Sequence, residues 1–305
     1  MKTLRAIAAE IVHLFVDDGS LALALLLWCA AIGVTTFLIP AFGEAAGIGL
    51  FAGCATILFA NVVLTGRSAS FLRLRIARRL LHGEVVLVVA LFAFAALFLA
   101  FVGLADEMVE GDMAHFDTAV VMALRHGGDL ARPIGPAWVQ EMMRDVTALG
   151  SFAVLGFVLV VALGYLLMVG QRGAALFMTA SVLGGILVST LLKQGFDRPR
   201  PDYPHIAQVF TASFPSGHAL LSAVTYLTIG IILARVTAER HLRIYFVAVA
   251  LVLTLLVGAS RVYLGLHYAS DVLAGWSIGA AWAILCWSIL LWIDQHGRAM
   301  AARLA

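Results

Sequence analysis

Long apolar stretches constrain this chain more than any other feature of its sequence. An α-helix needs about 20 mostly apolar residues to cross the hydrocarbon core of a bilayer. The stretches that meet this requirement are residues 20–40, 46–65, 84–104, 152–170, 174–193, 217–235, 243–260 and 270–293. The 305 residues are 62% hydrophobic and only 12% charged, whereas soluble domains average about 25% charged residues. The sequence therefore predicts an all-α, polytopic membrane helix bundle of about eight transmembrane helices.

The lysines and arginines of the connecting loops predict the orientation of this bundle, because such residues are enriched in cytoplasmic loops. Thirteen of the 20 lie on the side that holds both termini, and seven lie on the other side. Both termini are therefore predicted to be cytoplasmic. The net charge is only +2, so the chain gives no support for nucleic-acid binding. The oligomeric state is left open.

The span pattern also predicts how the chain is divided. The regions are an N-terminal accessory region with an amphipathic segment and two transmembrane helices (1–83), a six-helix core (84–293) and a cytoplasmic tail (294–305). Within the long outer loop, roughly 105–151, apolar residues recur at helical spacing, which predicts an amphipathic helix on the membrane surface. These residues include Phe116, Val120, Val121 and Leu124. The GxxxG spacing of Gly275 and Gly279 predicts close helix packing.

Ionisable residues cluster at three outer ends of the predicted helices. Such residues are costly near a membrane and usually mark a functional site. The clusters are Lys193–Pro201, Pro215–His218 and Ser260–Asp271. Because the predicted topology brings all three loops to the same face, we expect them to form one site.

The cationic residues of these clusters fit a phosphate. Lys193, Arg200 and Arg261 supply positive charge, and the planar arginine fork can bind two phosphate oxygens at once. Ser216 and Gly217 precede a helix, so we expect their backbone N–H groups to face an anion at the positive end of the helix dipole. Together these groups predict a cage for a phosphoryl group.

Two histidines and an aspartate complete the predicted chemistry. His267 and Asp271 lie four residues apart, so their side chains can meet on one face of a helix. A carboxylate bonded to one ring nitrogen fixes the tautomer and makes the other nitrogen a better nucleophile. His218 could then protonate the leaving oxygen, and water would hydrolyse the resulting phosphohistidine.

Three motifs in these clusters resemble the signature of a known family. Lys-x6-Arg-Pro, Pro-Ser-Gly-His and Ser-Arg-x5-His-x3-Asp are the motifs of the type 2 phosphatidic acid phosphatase superfamily, and all three occur here without a departure at a defining position. The resemblance covers approximately residues 84–293, which it identifies as a six-helix phosphatase core.

The resemblance implies a role for each matching position. These roles are nucleophile for His267, general acid for His218, orienting partner for Asp271, phosphate binding for Lys193, Arg200, Ser216, Gly217 and Arg261, and support of the site for Ser260. Arg198-Pro199 also reads as Arg-Pro, and only the family spacing selects Arg200, so Arg198 is a further candidate for contact with phosphate.

The resemblance also implies catalysis without a metal or another cofactor. The sequence agrees, because carboxylates near the site are too few for a two-metal phosphatase. The three cysteines lack Cys-x-x-Cys spacing, which argues against a zinc site or a disulfide framework.

We therefore expect a membrane enzyme that hydrolyses a lipid phosphate or diphosphate at the periplasmic face of a bacterial inner membrane. The family implies substrates such as undecaprenyl diphosphate, phosphatidic acid, phosphatidylglycerol phosphate and lipid A phosphates, and the sequence does not select among them. Two alternatives stay open. One is a lipid phosphotransferase with the same intermediate, and the other is a protein that binds or transports a lipid phosphate without cleaving it.

Overall fold

A computed structural model of the protein describes residues 28, 31, 35, 52–53, 56–57, 73–127, 129–201 and 212–304. Apart from the few positions just named, the predicted helices 20–40 and 46–65 and the N-terminal amphipathic segment lie outside the described residues. The chain forms two compact units, Met1–Val89 and Ala90–Ala305. The site described below lies within the second unit. The boundary that the sequence predicts between the accessory region and the six-helix core, at residues 83 and 84, stays a prediction.

The described residues are mostly helical. The helices are α1 (Arg73–Glu110), α2 (Met113–Ala123), α3 (Ala137–Ala148), α4 (Phe152–Met168), α5 (Arg172–Phe196), α6 (Gly217–Val236), α7 (Arg240–Tyr263) and α8 (Ala269–Leu304). Two short strands, β1 (Arg125–His126) and β2 (Asp129–Pro133), pair antiparallel between α2 and α3.

Among the residues that the structure describes, five helical segments are long and apolar enough to cross a membrane. They are Val85–Glu110, Arg172–Phe196, Gly217–Val236, Arg240–Tyr263 and Ala269–Asp294. Helices α3 and α4 meet at a bend of 51° and meet the same criterion only as a pair. Five of the six helices predicted for the core are thereby confirmed within the described residues, and the sixth, predicted at 152–170, qualifies only if the bent pair counts as one span. Helix α8 runs on to Leu304, so the region predicted as a tail is helical almost to its end.

Helix α4 covers most of the predicted span 152–170, and local signals set both of its ends. The Ser151 side chain accepts a hydrogen bond from the Val154 amide (3.3 Å), which caps one of the unpaired N–H groups at the start of a helix. Gly170 follows the helix with a φ of +75°, a conformation that glycine adopts without steric cost. The helix therefore has 17 residues.

Helix α6 is the centre of the bundle and packs against α5, α7 and α8. Glycines in α8 permit its closest contact. A Cβ atom on Gly275 would lie 2.7 Å from the Ser216 carbonyl oxygen, and one on Gly279 would lie 2.6 Å from that of Leu220. The close packing predicted from the GxxxG spacing is confirmed, and it holds the start of α8 beside the start of α6.

The outer loop between α1 and α4 contains α2, the β-hairpin and α3. Helix α2 covers the segment predicted to be amphipathic, and Val121 faces inward with 1% exposure. Asp117, on the same helix, is equally buried. The loop therefore packs a carboxylate into the bundle, which the prediction of a surface helix did not anticipate.

Candidate active site

One cavity of about 840 Å³ brings the predicted functional residues together at one end of the bundle. Its charged and polar lining includes Lys193, Arg200, Gly217, His218, Arg261 and His267. Each of these residues stands at the end of a helix or in a connector. Three separate loops therefore reach the same space, as the predicted topology required.

His267 and Asp271 form the predicted pair. His267 Nδ1 lies 3.4 Å from Asp271 Oδ2, and both side chains are almost completely buried. The same carboxylate oxygen accepts a hydrogen bond from the Tyr268 amide (3.0 Å) and one from Ser213 Oγ (2.5 Å). Ser213 Oγ also lies 3.3 Å from His267 Nδ1. Asp271 is therefore held on several sides, with its oxygen directed at the imidazole.

The partners of the His267 ring determine its tautomer. Arg200 Nη1 lies 3.1 Å from Nε2, and a guanidinium can only donate hydrogen bonds. Nε2 must therefore be the acceptor, and the proton of the neutral ring is on Nδ1, where Ser213 and Asp271 can accept it. This tautomer leaves the lone pair of Nε2 on the side of the cavity.

The charge state of His267 agrees with this tautomer. Burial lowers the pKa of His267 to about 4, with Arg200 and Arg261 acting in the same direction and the Asp271 hydrogen bond opposing them. The ring is consequently neutral at neutral pH, and its nitrogen is available as a nucleophile.

Acceptors of the protein hold each of the cationic groups in place. Lys193 Nζ donates to the Ala212 carbonyl (2.7 Å), and Arg200 Nη1 donates to the Leu266 carbonyl (3.0 Å). Arg261 Nη1 lies 3.3 Å from Thr147 Oγ1 in α3. The buried Nε of Arg261 has no hydrogen-bond partner among the described residues. A bound anion would give that donor the acceptor it lacks.

The start of α6 brings its backbone to the cavity. A Cβ atom on Gly217 would lie 3.2 Å from Lys193 Cε, so glycine leaves room for the lysine beside the helix terminus. The first intrahelical bond at this end is made by the Leu220 amide to the Ser216 carbonyl (3.0 Å). The amides of Gly217 and His218 precede it and so have no acceptor within the helix.

Ser216 does not present its amide as the sequence predicted. That N–H donates to the Asp271 carbonyl oxygen (2.9 Å), because the close packing of α8 on α6 places an acceptor there. Ser216 Oγ is buried without a hydrogen-bond partner among the described residues. Ser260 is also fully buried, and its hydroxyl donates to the Val257 carbonyl within α7 (2.6 Å). The Ser260 hydroxyl is thus satisfied within its own helix, and its support of the site stays a prediction.

Arg198 is directed away from the cavity. Its Nη2 lies 2.8 Å from Asp117 Oδ2 and its Nη1 lies 2.6 Å from Asp271 Oδ1. The guanidinium also covers the Tyr268 ring at 4.3 Å from the centroid. Burial opposes the charge of Arg198, but the two carboxylates raise its pKa above the ordinary value. Arg200 lines the cavity, whereas Arg198 lies behind Asp271 and is no candidate for contact with phosphate in this arrangement.

Sequence reasoning did not identify three residues that hold this site. Ser213 contacts both members of the His267–Asp271 pair, Asp117 anchors Arg198, and Thr147 contacts Arg261. Ser213 stands two residues before the Pro-Ser-Gly-His motif, which is the only signal that could have indicated it. Asp117 and Thr147 belong to the outer loop, and no spacing in the sequence connects them to the site.

No three His, Cys, Asp or Glu side chains come together as a metal site in the part of the chain that the structure describes. Catalysis without a metal stays a prediction from the motifs.

Comparison with known proteins agrees with the motifs. The profile of the PAP2 superfamily matches residues 174–294. Phosphatidylglycerophosphatase B of Bacillus subtilis is 31% identical over 186 residues, which are 60% of this chain and 88% of that protein. A lipid A 1-phosphatase of Rhizobium johnstonii is 34% identical over 129 residues, 39% of this chain and 48% of that protein.

A solved structure shares the fold. The crystal structure of a transmembrane PAP2-type phosphatidylglycerolphosphate phosphatase from Bacillus subtilis superposes with a TM-score of 0.56 at 28% identity, over 65% of this chain and 96% of that one. With three intact motifs lining one cavity and a relative matched over most of its length, the chain belongs to the PAP2 superfamily of membrane phosphatases.

Proposed function

We propose that this protein hydrolyses a lipid phosphate or diphosphate through a phosphohistidine intermediate on His267. The observation that carries the proposal is the position of His267, which lines one cavity together with three cationic side chains while Asp271 lies beside its Nδ1. A phosphoryl group in that cavity would have a nucleophile on one side and charge stabilisation around its oxygens.

In the first step the Nε2 lone pair attacks phosphorus and the bond from phosphorus to the lipid oxygen breaks. His218 gives its proton to that oxygen, so that an alcohol or a shorter phosphate leaves. The negative charge of the phosphoryl group permits the His218 ring to carry a proton among cationic neighbours. Lys193, Arg200 and Arg261 stabilise the charge on the three equatorial oxygens.

In the second step water attacks the phosphohistidine. His218, now neutral, accepts a proton from the water, and Nε2 of His267 leaves as the phosphorus–nitrogen bond breaks. Inorganic phosphate is the product and both histidines return to their starting state. Asp271 keeps the Nδ1 proton in place throughout, so the ring can attack and leave through the same nitrogen.

We further propose that the site faces the periplasm, with both termini in the cytoplasm. The distribution of lysine and arginine over the loops supports this orientation. A site at the outer ends of the spans lets a head group reach the cations while its acyl or prenyl tails remain in lipid. The cavity volume of about 840 Å³ lies in the range that holds one small ligand or head group.

Phosphatidylglycerol phosphate is the first substrate to test, because the relative matched over 88% of its length is named for it. Undecaprenyl diphosphate, phosphatidic acid and a lipid A phosphate complete the panel. We expect the purified protein to release phosphate from at least one of them in the presence of a chelator. Added acceptor alcohols would reveal transfer in place of hydrolysis.

The control for this experiment is a pair of histidine substitutions. His267→Ala should lower the rate at least about 10³-fold, since removing a covalent nucleophile costs up to about 10⁶-fold. His241→Ala should leave the rate unchanged, because His241 is exposed and stands near the opposite end of α7 from Arg261. Undiminished phosphate release by His267→Ala would refute the phosphohistidine mechanism.

A further inference from the structure

Asp117 is buried at the edge of the active site although the reaction above does not use it. It stands in α2 and is 1% exposed. One oxygen accepts from the Ser270 amide (2.9 Å), and the other accepts from Ser270 Oγ (2.6 Å) and Arg198 Nη2 (2.8 Å). A buried carboxylate is costly unless it is paired and hydrogen-bonded, and Asp117 meets both conditions.

The same guanidinium reaches the catalytic pair on its other side. Arg198 Nη1 donates to Asp271 Oδ1 (2.6 Å) and to Ser270 Oγ (2.8 Å). Asp271 Oδ2, the other oxygen of that carboxylate, faces His267. Arg198 therefore joins two carboxylates, one from the outer-loop helix α2 and one from the first turn of α8.

We propose that Asp117 is a positioning residue for the His267–Asp271 pair, acting through Arg198. This inference rests on the proposed function, whose nucleophile it concerns. Asp117 binds one arm of the guanidinium and so fixes where the other arm meets Asp271.

Asp117 also sets the charge behind the nucleophile. Two carboxylates that share one guanidinium leave a net negative charge on the side of His267 away from the cavity. When Nε2 bonds to phosphorus the ring becomes positive, and this net charge stabilises it. Without the charge of Asp117, Arg198 would offset Asp271 completely, and the ring would face only cations in the cavity.

The test compares Asp117→Asn with the unchanged protein in phosphate release, sulfate inhibition and vanadate inhibition. Removal of a residue that orients the partner of a functional histidine typically costs about 10- to 100-fold, and we expect a fall of that size in kcat. KM and inhibition by sulfate should stay within about twofold, because sulfate needs only the cations of the cavity, which Asp117 does not contact.

Vanadate separates positioning from general disruption. It mimics the transition state by bonding to the nucleophilic nitrogen, so its inhibition should weaken by a factor similar to the loss in kcat. Asp112→Asn is the matched control, since Asp112 is exposed and immediately precedes α2. It should leave all three measurements unchanged.

The outcomes distinguish the two proposals. An unchanged protein that releases no phosphate from any lipid contradicts the proposed function. A protein that is active, but whose Asp117→Asn variant retains kcat, overturns the role of Asp117. If inhibition by sulfate and inhibition by vanadate weaken equally, the substitution has damaged the whole cavity, and the role of Asp117 is overturned as well.

A second variant applies if Asp117→Asn does not fold. Ser270→Ala keeps all three charges and removes the hydroxyl that joins Asp117 to Arg198. We expect a fall of a few-fold in kcat, with vanadate weakened and sulfate unchanged. An unaltered kcat in this variant would also count against the proposal.

Discussion

Replacement of Ser213 by alanine tests the geometry of the catalytic pair most directly. The Ser213 side chain is fully buried, and its hydroxyl donates to Asp271 Oδ2 at 2.5 Å. Ser213 Oγ also lies 3.3 Å from His267 Nδ1 and can accept its proton. Ser213→Ala removes both contacts and changes no charge, so any effect comes from the orientation and hydrogen bonding of the pair.

The size of the effect follows from the charge of the acceptor. A hydrogen bond to a charged group contributes about 1.5 to 3 kcal/mol, and each 1.36 kcal/mol changes a rate about tenfold. If the Ser213 hydrogen bond stabilises Asp271 as the His267 ring becomes positive, kcat of Ser213→Ala should be about 10- to 150-fold lower than that of the unchanged protein. The substrate does not contact Ser213 in the proposed reaction, so KM should change by less than about threefold.

The assay is phosphate release in detergent micelles, together with rapid-quench measurement of the phosphorylated enzyme. We expect slower formation of the phosphoenzyme in Ser213→Ala. Ser222→Ala is the matched control, because Ser222 is also fully buried but its hydroxyl donates to the Ala219 carbonyl within α6 (3.1 Å). If kcat of Ser213→Ala stays within twofold of the unchanged protein, the orienting role of Ser213 is refuted.

Two more predictions concern the cations and the pH dependence of the site. Thr147→Val removes the hydroxyl next to Arg261 Nη1. It should raise KM and the inhibition constant of phosphate about threefold to tenfold. Equal values in the variant and the unchanged protein would contradict this prediction. The pKa of His267 is lowered to about 4, mainly by burial, so protonation should remove the nucleophile only below about pH 5. The measurement is the pH profile of kcat/KM for several substrates whose phosphates ionise at different pH. A fall at low pH that is the same for all substrates belongs to the enzyme. If that fall is centred near pH 6.5, the prediction is wrong.

The sequence was sufficient for five of the six spans predicted for the core, and for the cations and histidines that line the cavity. Apolar stretches can be read by length alone, because a bilayer imposes a nearly constant thickness on every helix. Lys193, His218 and Arg261 stand at helix ends near the membrane, where an ionisable residue is energetically costly and usually marks a functional site. The structure places these residues around one cavity. The predicted topology and the energetic cost of ionisable residues near a membrane were therefore enough to locate the site.

The supporting residues could not be predicted, because their positions depend on how the outer loop packs. An acidic residue in a long outer loop is ordinarily solvated, and the apolar residues around Asp117 indicated only a surface helix. The structure buries Asp117 because Arg198 and Ser270 satisfy it there. Likewise, the sequence could not reveal that the packing of α8 would engage the Ser216 amide.

The choice between two arginines shows what spacing can and cannot decide. Arg198 and Arg200 are each followed by proline, and the family spacing selected Arg200 for the phosphate site. Their places differ because Arg198 is held between two buried carboxylates, whereas Arg200 contacts His267. Spacing identified the residue at the cavity, but the role of the other required the contacts.

The contact between Arg200 and His267 has a consequence for the order of events in the proposed reaction. Because this hydrogen bond uses the Nε2 lone pair, it must break before Nε2 can attack phosphorus in that reaction. Anionic phosphate oxygens are stronger acceptors than a neutral imidazole, and a phosphoryl group in the cavity would draw the guanidinium toward itself. Binding of phosphate would then expose Nε2 and place Arg200 on the oxygens where charge accumulates. In the proposed reaction, one guanidinium would thereby expose the reactive nitrogen only when substrate is bound, and would then stabilise the transition state in which that nitrogen takes part.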